Sequence, residues 1–405
     1  MANVRYTMIK GTSLGFWALL GLFGAFIAAG LGATYYMEHN GHWVTGMNNA
    51  VVWGMPHVFA VFLIVAASGA LNVSSIATVF GRAMYKPLGR LSNVLAITLL
   101  IGGLSVLVLD LGRPDRLIVA MTKYNFKSIF AWNIILYNGF LLVVGIYLWT
   151  LMEKKMNRFS KAAGTAAFIW RLVLTTGTGS IFGFLVARQG YDAAIMAPMF
   201  IIMSFAYGLA FYLVFLIASY KLTGRELGDA VVNRLKNLLG VFVAAALYFV
   251  AVHHLTNLYI TEHHGFEAFI LRGDNGGGIY SRVFWIDQVL LGSIVPMIIL
   301  FTALSKSRAM VVAASVLVIL GGLAQMYVTI VGGQAYPMTL FPGWEISSSF
   351  GDGQTATYSP SKWEVMLGMA GIAITLAATT FAIKVLPLLP ESLADKVADP
   401  HHKAG

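Results

Sequence analysis

Ten times along this chain, a run of roughly twenty or more mostly apolar residues alternates with a short polar segment, and that length crosses a bilayer. The runs cover about 13–36, 52–79, 91–110, 128–152, 162–187, 196–220, 236–259, 283–304, 309–332 and 363–388. Only 11% of the residues are charged and 58% are hydrophobic. A soluble core could not hide that much apolar surface, so the solvent for most of the chain is lipid. Backbone groups in lipid must satisfy one another within a segment, which makes each run a helix. The first run is too long for the apolar part of a cleaved signal and reads as a retained span. The expectation is an all-α, polytopic membrane protein with ten transmembrane helices.

Counting Lys and Arg gives the direction. Eighteen of the 27 fall on the side of the N-terminus, eight on the other side, and Arg171 lies inside a run. Positive residues gather in cytoplasmic loops, so both termini are expected in the cytoplasm. The same rule accounts for the formal charge of +10 without nucleic acid. The chain has no cysteine, which excludes disulfides, thiolate metal sites and any iron–sulfur cluster held by this chain.

Half of the outer positive residues sit in one loop, 111–127, which begins inside the stretch DLGRPDR at 110–116. Gly112 is placed to cap the third helix, and Pro114 follows where that helix cannot continue. Pro114 can open a further short helix, with Asp115 at its positive end. Asp110 sits at a helix C-terminus near the membrane boundary, where an anion needs a partner. Arg113 and Arg116 are the near candidates. The loop's charges are either simply tolerated, paired, or used for docking.

A charged residue followed by LGRP, closing the third span, resembles the NrfD/PsrC family of polysulfide reductase membrane subunits. Trp53-Gly54 opening the second span, with Ala67-Ser68-Gly69 deeper in it, is similar to that family's pattern. Ten spans, FPGW at 341–344 and a Tyr-Ser-Pro-Ser-x-x-Glu stretch at 358–364 resemble a longer branch. That branch includes the hydrogenase-2 membrane subunit and the DsrP subunit of the Dsr sulfur-metabolism complex. The resemblance implies two four-helix bundles, at 1–152 and 153–304, with two added helices, an outer loop and a tail at 305–405. It implies a quinone-reactive subunit of a respiratory complex in a bacterial inner membrane, using menaquinone or ubiquinone. The partner it implies is a ferredoxin-like iron–sulfur subunit on the periplasmic face, and sulfur metabolism is the implied setting.

Topology locates a pocket independently. The antiparallel order brings the outer ends of the first four spans together, and polar and aromatic residues cluster there: Tyr35, Tyr36, Glu38 and His39; Trp53 and His57; Asp110; Trp132, Asn133, Tyr137 and Asn138. Trp53 and His57 share a helix face, as do Asn133 and Tyr137. Quinone reduction delivers two electrons and two protons to carbonyl oxygens. His57 can donate or accept a proton near neutral pH. Tyr137 and Asn133 can bond the other carbonyl. Trp53 and Tyr36 can hold the ring, and protons can arrive through Asp110, Glu38 or His39. Other readings stay open: Tyr35, Tyr36 and Trp132 as interfacial anchors, Asn133 as a bond between helices, and Asp110 with Arg113 as a loop tie.

A second polar set comprises His253, His254, Asn257, Tyr259, Asp287 and Gln288, with Gln325 and Glu364 in the added helices. Arg171 is expected to pair with a carboxylate or line water. Each of these can be structural. No metal site is expected, and neither the RGD at 272–274 nor the tail HHKAG is read as functional. The outer stretch 333–361 is long enough to serve as a lid or partner contact. Two rival functions remain. A haem-b cytochrome would need facing histidines at matching depth, which His57 and His253 or His254 provide only across two bundles. A secondary transporter would favour broken helices near the midplane.

Overall fold

The computed structural model describes residues 4–338 and 353–398. FPGW at 341–344, much of the 333–361 loop and the tail HHKAG lie outside the described residues. Among those described, nine helices are long and apolar enough to cross a membrane: α1 (Leu14–Asn40), α2 (Met55–Thr78), α3 (Ala83–Leu109), α4 (Ile129–Met152), α6 (Met196–Thr223), α7 (Asp229–Tyr259), α8 (Gly278–Phe301), α9 (Arg308–Ala335) and α10 (Lys362–Val385). The run expected at 162–187 forms helix α5 (Ser160–Gly183). Its 24 residues span about 36 Å. Arg171 and a series of Ser, Thr and Gly residues lower its apolarity. The chain is a polytopic all-α membrane protein. Its terminal segments meet in one short antiparallel pair, β1 (Tyr6–Thr7) with β2 (Leu389–Pro390).

Helices α2, α3, α4 and α5 pack each against the next, and α5 returns to α2; α6, α7, α8 and α9 close a second ring. α1 lies along α10, which packs on α2 and α3. Two four-helix groups and two additional helices are therefore present, but the partition differs from the expected 1–152 and 153–304. The reason lies in α1, which buries only Gly30, Ala33 and Met37, the residues that face α10 and its surroundings, and leaves its other faces uncovered by the chain. The rings touch where α2 crosses α6. A Cβ on Gly69 would sit 1.5 Å from the Ser204 carbonyl oxygen, and one on Gly208 would sit 2.0 Å from the Ala70 nitrogen. Only glycine permits this backbone contact.

α2 breaks at Leu71 into Met55–Ala70 and Asn72–Thr78. α8 contains a π-helical stretch, Val283–Ile294, and α9 another, Val328–Gly332. Such stretches widen the turn and free backbone groups.

Candidate functional site

Three helix ends converge on one carboxylate. Asp110 ends α3, and its side chain is only 2% exposed. His57 lies in the first turn of α2, which Pro56 helps to start, and its Nδ1 is 3.3 Å from Asp110 Oδ2. His42 lies in a 3₁₀ turn after α1 (His42–Val44), with Nε2 3.7 Å from Asp110 Oδ1. These separations are longer than a good hydrogen bond. Both carboxylate oxygens and both facing imidazole nitrogens are buried without a hydrogen-bond partner among the described residues. The imidazoles stay reachable, with side chains 26% exposed at His57 and 28% at His42.

Asp110 therefore does not pair with Arg113 or Arg116. Arg113 binds Asp115 at 3.0 Å on the exposed surface. The expected cap also changes. Asp110 itself caps α3, its N–H bonding back to the Val106 carbonyl. Gly112 instead lies beside His42, where a Cβ would make only an ordinary contact with His42 Nδ1 at 3.4 Å. Pro114 does open a short turn, Pro114–Arg116, continued by the helix Leu117–Thr122.

The backbone entering α2 is held by distant residues. Gln334, at the end of α9, accepts from the N–H groups of Val52 and Trp53 at 3.0 Å each and donates to the Trp53 carbonyl at 3.0 Å. Arg188 donates to the carbonyls of Gln334 and Ala50 at 2.5 and 2.9 Å. The Tyr358 hydroxyl accepts from Met55 N–H at 2.7 Å and donates to Glu364 Oε1 at 2.6 Å. Glu364 Oε2 accepts from the N–H groups of Gly46 and Ser361 at 2.8 and 2.7 Å. Glu364 is fully buried and, with Ser361, forms the capping box of α10. Burial and this carboxylate hold the Tyr358 hydroxyl proton well beyond the ordinary range.

The remaining expected residues divide. Trp53 stacks near His57, with ring centres 6.3 Å apart, and meets Phe130 and Phe182 edge-on at 6.0 Å each. Asn133 is buried and donates to the carbonyls of Ile129 and Gly177 at 2.9 and 3.2 Å, joining α4 to α5. Tyr137 approaches Thr178 of α5. Tyr36 stacks on Trp363 of α10 at 4.3 Å, in the contact between α1 and α10. His42 was not anticipated, although a histidine four residues beyond Glu38 in a loop between spans is a visible signal.

The Asp110 carboxylate opposite His42 raises the proton affinity of its imidazole above the ordinary 6.5, against the opposing effect of burial. A raised folded value gives stability that is fully present below pH 6.5 and lost as pH rises through the raised value. His42→Gln should therefore melt below the wild type in acid and match it in alkali. Melting curves of both proteins across that range check this; a difference that grows with pH would refute it.

Arg171 is buried and, among the described residues, faces no carboxylate. Its guanidinium donates to the Ser68 carbonyl at 3.1 Å and to Asn72 Oδ1 at 2.5 Å, at the break in α2. Phe168 and Phe205 flank it at 5.0 Å each. Its partners are carbonyl dipoles at a helix C-terminus, which favour a cation, and not the carboxylate that was one of its two expected surroundings. In the second ring, His254 Nδ1 lies 2.7 Å from Glu267 Oε2, and Asn257 donates to Glu267 Oε1 at 2.9 Å. His253 and Gln288 line a small cavity beside the π-helical turn of α9, with Gln325 nearby. Glu267 was also not anticipated. Among the described residues, no three His, Cys, Asp or Glu side chains group as a metal set.

Fold and site together define an integral membrane protein whose first helix ring carries a buried imidazole–carboxylate cluster at one mouth. Residues 43–338 match the family described as polysulphide reductase, NrfD, and the chain belongs to that family. It is 28% identical over 398 residues to an Hdr-like menaquinol oxidoreductase integral membrane subunit of Archaeoglobus fulgidus, covering 98% of this chain and 99% of that protein. It is 24% identical over 408 residues to a selenate reductase subunit of Mesobacillus selenatarsenatis, covering 90% of this chain and 92% of that protein. To the menaquinone reductase integral membrane subunit of Nitratidesulfovibrio vulgaris it is 21% identical over 394 residues, covering 90% of each.

Proposed function

We propose that this chain is the quinone-reactive subunit of a membrane oxidoreductase complex, exchanging electrons between membrane quinone and an iron–sulfur subunit docked at the mouth that holds His57. The observation that carries the reading is the approach of His42 and His57 to one buried carboxylate, with no hydrogen bond of good geometry completing any of these polar atoms among the described residues. Protein interiors do not usually leave such atoms unbonded, so the cluster is suited to a substrate or water that completes it. The names of the relatives, menaquinol oxidoreductase and menaquinone reductase subunits, favour menaquinone over ubiquinone as the substrate.

His57 presents Nδ1 to Asp110, which leaves Nε2 for a quinol hydroxyl. With Asp110 holding the Nδ1 proton, Nε2 accepts the hydroxyl proton as general base and the carboxylate stabilises the resulting imidazolium. His42, on the other carboxylate oxygen, passes the proton outward. Oxidising one quinol releases two protons by this route and two electrons to the partner's cluster. Trp53 and Phe130 offer the ring an aromatic wall. The exposed segment 111–127, with Arg116, Lys123 and Lys127 beside Ile118, Val119 and Phe126, suits a protein partner. The distribution of positive residues supports ten crossings, α5 included, with both termini cytoplasmic. The family description favours a sulfur compound as the substrate of the assembled complex.

Photolabelling the complex with an azido-quinone is expected to mark peptides containing 42–57 or 106–110, and excess menaquinone should protect them. Protected labelling confined to 253–288 would move the site to the second ring.

A further inference from the structure

A cavity of about 590 Å³ opens at the other end of the first ring, on the side of both termini. Its walls are the ends of α2, α3, α4 and α5, together with Tyr6 of β1. Every charged side chain on them is a cation, namely Lys86, Arg90 and Lys161, and among the described residues no Asp or Glu lines the space.

Arg90 is already engaged. It donates to the Leu151 carbonyl at 3.2 and 2.8 Å and to the Pro387 carbonyl at 2.9 Å, and it lies 3.8 Å over the Tyr6 ring. It thereby joins the end of α4 to both terminal segments. The ammonium groups of Lys86 and Lys161 have no hydrogen bond or ion pair among the described residues. Helix α5 starts at this wall with Ser160 and Lys161, and no side chain caps it. Its Ser160 N–H already bonds to the Asn157 carbonyl of the preceding 3₁₀ turn, Asn157–Phe159, so it is the positive dipole end of the helix that adds to the same field. Three cations and a helix N-terminus around one space repel each other, and a bound anion relieves that repulsion. The remaining wall is apolar at Val79, Phe80 and Leu151, and Phe80 is 60% exposed. Basic pockets between helices at this level of a membrane protein suit phosphate head groups.

We infer that this cavity binds a phosphate-bearing anion, either the head group of an anionic membrane lipid or a free phosphate compound, held by Lys86, Lys161 and the start of α5. Because Arg90, Tyr6 and Pro387 form or brace its wall, occupancy fastens the two terminal segments to the first ring. The bound anion then acts as a staple on the face opposite the His57 cluster.

The test uses the full chain, delipidated in detergent, as wild type and as the double variant Lys86→Gln with Lys161→Gln. Phosphatidylglycerol, phosphatidylcholine and inorganic phosphate are titrated separately, with thermal midpoint and retained lipid read together. Phosphatidylglycerol should raise the wild-type midpoint by several degrees and phosphatidylcholine should not. The double variant should bind roughly 30-fold more weakly, a factor set by the loss of two cations at a membrane surface. Both lysines are exposed, so the variant should fold, and paired Lys→Arg replacements should restore binding. An effect of phosphatidylglycerol alone identifies a lipid, and an equal effect of inorganic phosphate identifies a soluble source. No response from the wild type, or equal responses from wild type and double variant, overturns the inference.

Discussion

Replacing His57 with alanine is expected to slow quinol-dependent turnover of the assembled complex by roughly 10²–10⁴-fold, the usual contribution of a positioned acid–base group. The complex itself should still assemble. His57 is partly exposed, makes its one ionic contact with Asp110, and bonds no other helix through its side chain among the described residues. Its removal leaves the backbone ties of Gln334, Arg188 and Tyr358 untouched. Asp110→Asn should also slow turnover, since an amide cannot stabilise the imidazolium. Wild-type rates in a correctly assembled His57→Ala complex would reject the proposed site.

Arg171→Ala is expected to destabilise the protein by about 2–6 kcal/mol, about 1–3 kcal/mol for each of two buried acceptors left unpaired. The variant leaves the Ser68 carbonyl and Asn72 Oδ1 unbonded at the break in α2, with a void between Phe168 and Phe205. Lysine should rescue little, because one ammonium cannot reproduce the planar fork between two acceptors and two rings. Denaturation in detergent measures the loss. Stability equal to the wild type would mean that other contacts hold the break.

The helices were legible because lipid enforces a length and a composition that can be counted directly. α5 shows where counting weakens, since a helix enclosed by neighbours can carry Arg171 and many hydroxyls. The partition into rings was hidden, because nothing in the local composition of α1 tells that its small residues face α10 rather than α2. His57 and Asp110 stood out as ionisable groups at the membrane boundary. Their mutual contact did not, because it spans 53 positions and competes with the adjacent Arg113. Gln334, Arg188 and Tyr358 were invisible for another reason: they bind backbone atoms, and a backbone acceptor leaves no trace in a residue pattern. Asn133 fitted two roles by type, and only its bond to the Gly177 carbonyl of α5 shows that it joins helices.

The family match ends at residue 338, yet Tyr358 and Glu364, which fasten the approach to α2, lie beyond it. The mouth that holds His57 is thus not a portable module. A chain shortened after α9 would keep His42, His57 and Asp110 while losing the Tyr358 and Glu364 ties on the approach to α2.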